Sequence, residues 1–255
     1  MVTFDRKTYE HDIYEDAAYS SWLKHANERE YFARLLKEKF SEWCQKKRLT
    51  IIEVGCGVGS AAKRIFEVLD EKGVDYEYTG FDPYKEQLLR FREQFPKKNI
   101  GLIKATLDSF SPRGKKFDVA FVVHSLYYVD NMEAALIKIG SFARKMVIVH
   151  HGKKGINLVH EKFSKYVKKG PNIISTYEKV TQALNALKIP YSIEIIETQV
   201  NIHPCKDPHN LPGRNMIKFF LERTDLPEST IKEVAQFLKT QPDTMIHEIA
   251  FIITS

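Results

Sequence analysis

The sequence predicts an α/β fold, a mostly parallel sheet with helices on both of its faces. Three observations predict it. Between residues 48 and 151, apolar runs alternate with helical segments, the pattern of strands joined by crossover helices. The run FDVAFVVH (117–124) is almost continuously apolar, as a strand buried on both faces must be. IIEVGCGVGS (51–60) passes from an apolar strand through alternating glycines toward a helix. A strand that turns sharply into a helix needs such residues, because they bring no Cβ to the turn.

Each element follows in order. RLTIIEVG (48–55) is the first strand and residues 60–73 are its helix. YEYTGFD (76–82) is the second strand, and Pro83 opens the next helix, since its fixed φ suits a first turn. NIGLIKAT (99–106), FDVAFVVH (117–124) and KMVIVHH (145–151) are the third, fourth and fifth strands. YSIEIIETQV (191–200) and MIHEIAFIIT (245–254) are long enough to close the sheet as an antiparallel pair. Residues 1–47 read as mostly helical and carry Tyr9, Tyr14, Tyr19, Trp22, Tyr31 and Phe32. Residues 201–243 interrupt the last two strands with proline-containing loops and two helices, LPGRNMIKFFLER and PESTIKEVAQFLKT. With no repeat or linker, residues 1–255 are expected to form one domain, with 48–200 and 244–255 as its core. The two flanking segments are expected to cover the ligand crevice at the carboxyl ends of the strands, plain packing being the alternative.

Composition narrows the partners. Hydrophobic residues make up 43% and charged residues 28% of the chain, which is ordinary for a soluble globular protein. No apolar run approaches a membrane span, and the first residues are too polar for a secretory signal. Cys44, Cys56 and Cys205 have neither metal nor redox spacing. A reducing, cytoplasmic setting is therefore expected, with Cys56 a small filler of the glycine turn. The net charge of +6 raises the question of nucleic acid. Its basic residues are interleaved with acids, as in KEKFSEWCQKKR, and the densest group (Lys153, Lys154, Lys162, Lys165, Lys168, Lys169) reads as the solvated face of a helix. The expectation is a monomer with a small-molecule partner, and neither nucleic acid nor membrane.

The glycine turn carries the chemistry. Gly55, Gly57 and Gly59 follow Glu53. A dinucleotide site, G-x-G-x-x-G, begins the same way. Here Ser60 stands where its third glycine would fall, and Glu53 stands where a nicotinamide site is usually apolar. An acid there suits a ligand with a cationic amino-acid tail. The stretch resembles the first motif of class I S-adenosylmethionine (SAM) methyltransferases. That resemblance implies a Rossmann-like seven-stranded sheet in the order 3-2-1-4-5-7-6, SAM as cofactor and S-adenosylhomocysteine (SAH) as product. Asp82 ends the second strand, 23 residues beyond Gly59, where an acid accepts hydrogen bonds from ribose hydroxyls. Capping of the helix at Pro83 is its other reading. Gln87, Thr106, Leu107 and Asp108 fall around the nucleoside, with Val123 closing the fourth strand. His124 is the first polar residue after that buried run and so lies at the carboxyl edge, beside the transferred methyl. Tyr127 and Tyr128 offer aromatic faces to a sulfonium or organic cation. The D/N-P-P-Y/F tetrapeptide of base-amino methyltransferases is absent.

Three segments sharpen the resemblance: HSLYYVDNMEAALIKIGSFARKMVIVHHGKKG (124–155), HANE (25–28) and the closing IHEIAFIITS (246–255). They are similar to the corresponding parts of the histamine N-methyltransferase family. In that family a glutamate and two amides hold the amine substrate. By position they become Glu28, His124 and His247, so the glutamate is kept and histidines replace both amides. Two family tryptophans after the fifth strand fall at Ile156 and His160. Tyr9, Tyr19 and Trp22 supply further substrate-side aromatics. An alkylammonium cannot attack a methyl group until it loses a proton, and histidine is suited to accept one near neutral pH. Glu28 would draw in the cation. His124 and His247 would take the proton or, if charged, bind an anionic group. No two histidines have a local ligand spacing, so no metal is expected. The leading reading is methyl transfer to a nitrogen of a small amine or imidazole. The others are O-methylation with His124 as base, a nucleic-acid methyltransferase, and a SAM-binding protein without activity.

Overall fold

The computed structural model describes residues 17–96, 99–167 and 175–255. Tyr9, Tyr14, Lys168 and Lys169 lie outside the described residues.

Seven strands form one sheet: β1 (Arg48–Val54), β2 (Asp75–Asp82), β3 (Ile100–Lys104), β4 (Phe117–Val123), β5 (Ala143–His151), β6 (Tyr191–Asn201) and β7 (Thr244–Thr254). Their order is β3-β2-β1-β4-β5-β7-β6. The first five run parallel. β7 runs antiparallel to both β5 and β6.

Strand periodicity explains why both faces are covered. Ile51, Val119, Phe121, Val147, Val149, Phe251 and Ile253 point into one apolar cluster. Their neighbours Ile52, Ala120, Val122, Met146, Ile148, Ala250 and Ile252 point into another. Successive side chains leave a strand on opposite sides, so continuous apolar sequence gives two cores. The first face packs on α2 (Glu28–Glu38), α3 (Phe40–Trp43), α4 (Ser60–Glu71) and α5 (Lys85–Gln94) through Leu35, Trp43, Phe66 and Phe91. The second packs on α6 (Met132–Phe142) and α8 (Tyr177–Ala186) through Leu136, Ile139 and Leu184.

A third cluster joins the flanking segments. It contains Trp22 of α1 (Ala17–His25), Val159 of α7 (Ile156–Lys162), Phe220 of α9 (Leu211–Phe220) and Val234 of α10 (Glu228–Lys239). The HANE segment is then clipped to the sheet edge. Ala26 bridges Val200, the Asn27 amide donates to the Gln199 carbonyl at 3.1 Å, and the Gln199 amide donates to Asn27 Oδ1 at 2.8 Å. This clip sets where Glu28 begins α2.

Two local expectations change. The helix after Pro83 begins at Lys85, because Asp82 Oδ1 accepts the Tyr84 amide at 3.0 Å and ties the intervening turn. In the basic cluster, Lys162 is the last residue of its helix. Lys153, Lys154 and Lys165 lie outside it and pair with Glu178, Glu197 and Glu233.

Candidate active site

Beyond β1 the chain turns through Gly55, Gly57 and Gly59, with φ values of 68°, 50° and 87°. Two of these positions need glycine for different reasons. A Cβ on Gly55 would sit 2.7 Å from Ser125 Cβ, so its absence lets the loop after β4 pass close by. A Cβ on Gly57 would meet nothing within 4 Å. Its left-handed backbone serves an open cavity wall, and its amide donates to Asp82 Oδ2 at 3.0 Å.

A cavity of about 310 Å³ opens at the carboxyl ends of β1, β2, β4 and β5. Glu53, Gly55, Gly57, Asp82, Gln87, Thr106, Leu107, Asp108 and Val123 line it on one side. Tyr19, Trp22, Glu28, His124, Tyr127, Tyr128, Ile156 and His160 line it on the other. Gly59 and His247 do not reach the wall: Gly59 packs on Phe91 and Phe95, and His247 lies fully buried behind it.

The residues on the first side fit SAM. Asp82 takes one backbone amide on each carboxylate oxygen. A carboxylate offers about four acceptor sites, so bracing the loop is compatible with binding ribose hydroxyls. Gln87 is 2% exposed, and its amide nitrogen has no hydrogen-bond partner among the described residues. The Ser125 hydroxyl beside Gly55 is equally unsatisfied. Buried donors are rarely left unpaired unless a ligand or water completes them.

Glu53 is buried and accepts the Tyr78 hydroxyl at 2.5 Å. Burial pushes its carboxyl up to about 8; the Tyr78 bond opposes this, Asp82 adds to it, and Arg29 opposes it weakly. Arg29 also lines the cavity and donates to Tyr19 Oη at 2.6 Å. Glu53 and Arg29 thus set one carboxyl group and one guanidinium at this end of the cavity. Sequence reasoning passed over Arg29, although it directly follows the HANE segment.

The opposite side is organised around one carboxylate. Glu28 Oε1 accepts from His124 Nε2, and Glu28 Oε2 lies 3.3 Å from His247 Nε2. Burial would raise Glu28. The His124 charge, followed by the His124 hydrogen bond and the close approach of His247, outweighs it and holds the carboxyl well below the usual range. His124 Nδ1 meets Tyr127 Oη at 2.5 Å, and Tyr127 Oη accepts the His151 backbone amide at 3.0 Å. In neutral His124 the contact with ionised Glu28 places the ring proton on Nε2, and Tyr127 then donates to Nδ1. His124 also holds φ at +52°. A non-glycine residue there costs ~1–3 kcal/mol, strain typical of functional sites.

His151 was also missed by sequence reasoning. It lines the cavity, with its ring centroid 4.5 Å from that of His124 and 4.6 Å from that of His247. Its signal was its place at the end of β5, the strand beside β4. Burial, reinforced by the charges of His124 and His247, holds His151 well below the ordinary histidine value. His150 is likewise lowered, first by burial, and its Nε2 bonds Ser175 Oγ at 3.0 Å. His160 donates to the Phe220 carbonyl and ties α7 to α9. Trp22 stacks on Phe219 at 5.4 Å and meets His247 edge-on at 5.2 Å. Metal-ligating atoms of Glu28, His124 and His151 lie within 4.8 Å of one another. Sequence spacing hid this grouping, because the three come from separate segments.

The methyltransferase domain family model matches residues 23–153, just over half of the chain. No curated protein sequence matches it. Among solved structures, it is similar to the YcgJ protein from Bacillus subtilis, at 13% identity and a TM-score of 0.62, covering 88% of this chain and 97% of that one. It is similar to the mycolic acid cyclopropane synthase CmaA1 in complex with SAH, at 11% identity and a TM-score of 0.55, covering 93% and 98%. A third is the plantazolicin methyltransferase BpumL in complex with a triazolic analogue and SAH, at 12% identity and a TM-score of 0.53, covering 92% and 89%. These likenesses concern the fold. No helix among the described residues is long and apolar enough to cross a membrane. The domain match and the strand order agree, and the chain belongs to the class I SAM-dependent methyltransferases.

Proposed function

We propose that this methyltransferase transfers its methyl group to a nitrogen of a small amine or imidazole-type molecule. The observation that carries the reading is the convergence on one cavity wall of Glu28 and His124, with His247 behind Glu28. The wall is closed by aromatic residues of α1 and of the segment around α9, Tyr19, Trp22 and Phe219. That enclosure supports a small acceptor. The resemblance to the histamine N-methyltransferase family supports a cationic one.

Bound SAM supplies an electrophilic methyl on a positively charged sulfur. The protein's own residues then align the acceptor and move its proton. The Glu28 carboxylate, ionised despite burial, attracts an ammonium or imidazolium. Tyr127 Oη accepts a proton from the acceptor nitrogen and passes its own to His124 Nδ1. Glu28 stabilises the imidazolium that results. Positioned proton transfer of this kind is typically worth ~10²–10⁴-fold in rate. His247 acts through Glu28, holding its second oxygen. On the other side of the cavity, Asp82 and Gln87 orient the nucleoside, and Glu53 and Arg29 the amino-acid tail.

O-methylation is the second reading. The Glu28–His124 contact favours it, because a carboxylate behind an imidazole also suits deprotonation of a hydroxyl. The pairing of Lys153, Lys154 and Lys165 with carboxylates argues against a continuous basic track for nucleic acid. A SAM-dependent transfer screen over small amines, imidazoles, phenols and RNA tests these readings. SAH release with amines or imidazoles is expected. Turnover confined to phenols or RNA would overturn the nitrogen assignment.

A further inference from the structure

We propose that Glu28, His124 and His151 form a binding site for one divalent transition-metal ion of the Zn²⁺ type. Their donor atoms, a Glu28 carboxylate oxygen and one ring nitrogen of each histidine, lie within 4.8 Å of one another, and His124 Nε2 is the nitrogen that already meets Glu28. An ion held at ~2.1 Å in tetrahedral geometry sets its donors ~3.4 Å apart. Two imidazoles and one carboxylate suit Zn²⁺, Co²⁺ or Fe²⁺ better than Mg²⁺ or Ca²⁺, which prefer all-oxygen shells. The fourth position faces the cavity, since all three residues line it.

The surroundings independently point to a ligand. His247 is 0% exposed, and among the described residues neither of its ring nitrogens makes a hydrogen bond. Its Nε2 sits 3.3 Å from Glu28 Oε2, turned toward the carboxylate that would meet the ion. Tyr127 contacts His124 Nδ1, the nitrogen opposite the proposed donor. Outer partners of this kind orient metal-bound histidines. The three donors come from α2, the loop after β4 and the end of β5, so the folded sheet preorganises the set.

The inference stands on donor geometry and not on the choice of methyl acceptor. Its test therefore needs no turnover. Co²⁺ and Zn²⁺ are titrated into the metal-free full chain, followed by visible absorption for Co²⁺ and by calorimetry for Zn²⁺. One ion per chain is expected, with the ligand-field bands of four- or five-coordinate Co²⁺. His151→Ala and Glu28→Gln should each weaken binding at least ~10-fold, and Tyr127→Phe by ~10–100-fold. His203→Ala, at an exposed histidine beside Asp243, should leave binding unchanged. SAH binding by each variant shows that it is folded. Absence of saturable binding would overturn the site. So would equal affinity in His151→Ala and Glu28→Gln variants that still bind SAH. A failed metal titration leaves the acceptor assignment standing, and a failed acceptor screen leaves the metal site standing.

Discussion

Binding of SAM should release a proton from Glu53. Burial raises this carboxyl from 4.5 to about 8, so at pH 7 about nine-tenths of it is protonated in the free protein. An ammonium arriving beside it favours the ionised form. About 0.9 proton should leave per SAM bound at pH 7, falling to about 0.1 at pH 9 once the ligand's own ionisation is subtracted. Calorimetry in buffers of different ionisation enthalpy reads this number directly. Glu53→Gln should abolish the release and weaken SAM.

The same residue governs free-protein stability. Between pH 4.5 and about 8 the folded state holds a proton that the unfolded state has lost, so stability falls as pH rises through that window. At 1.36 kcal/mol per pH unit, the full span is worth ~5 kcal/mol. Glu53→Gln should flatten that slope in urea titrations. Proton-neutral SAM binding at pH 7, or the same release from Glu53→Gln, would refute the reasoning.

Asp82→Ala removes the acceptor of the Gly57 and Tyr84 amides along with the proposed ribose contact; SAM affinity should drop ~10–100-fold at ~1.5–3 kcal/mol per charged hydrogen bond, read by calorimetry. Glu28→Gln should lower kcat/KM for cationic acceptors more than for neutral ones, and should lose ~2 kcal/mol of stability at pH 7. Because the folded Glu28 value lies below 4.5, its contribution is present above that pH and lost as pH falls through the folded value. The stability gap between wild type and variant should therefore close in acid, as measured by denaturant unfolding. Trp22→Ala removes a 5% exposed ring packed on Phe219, Phe220 and His247, and should cost ~3–5 kcal/mol in thermal or urea unfolding.

The sheet was legible because its information is local. Apolar runs such as FDVAFVVH and MIHEIAFIIT specify strands, and alternate residues of those runs fill the two cores without help from distant sequence. The glycine turn was legible for the same reason, since a positive φ within three alternate positions leaves a signature in residue type. Asp82 could be placed at a strand end. Its bond to Gly57, which makes it a brace of the loop, joins residues far apart in the chain and only folding reveals it.

The substrate side was legible only in part. Glu28, His124 and His247 were reached by resemblance, and nothing in their spacing says that they share one carboxylate. His151 and Arg29 carried no motif; they became visible once parallel pairing set β5 beside β4 and the Asn27–Gln199 clip fixed the start of α2. The sequence by itself determined an α/β fold and its glycine turn, because strand period and glycine chemistry are properties of neighbouring residues, and resemblance of that turn to a family motif supplied SAM. Tertiary structure decided the charge states of Glu53, Glu28 and His151 and the meeting of three histidines around Glu28. Burial and through-space charge depend on which segments pack together.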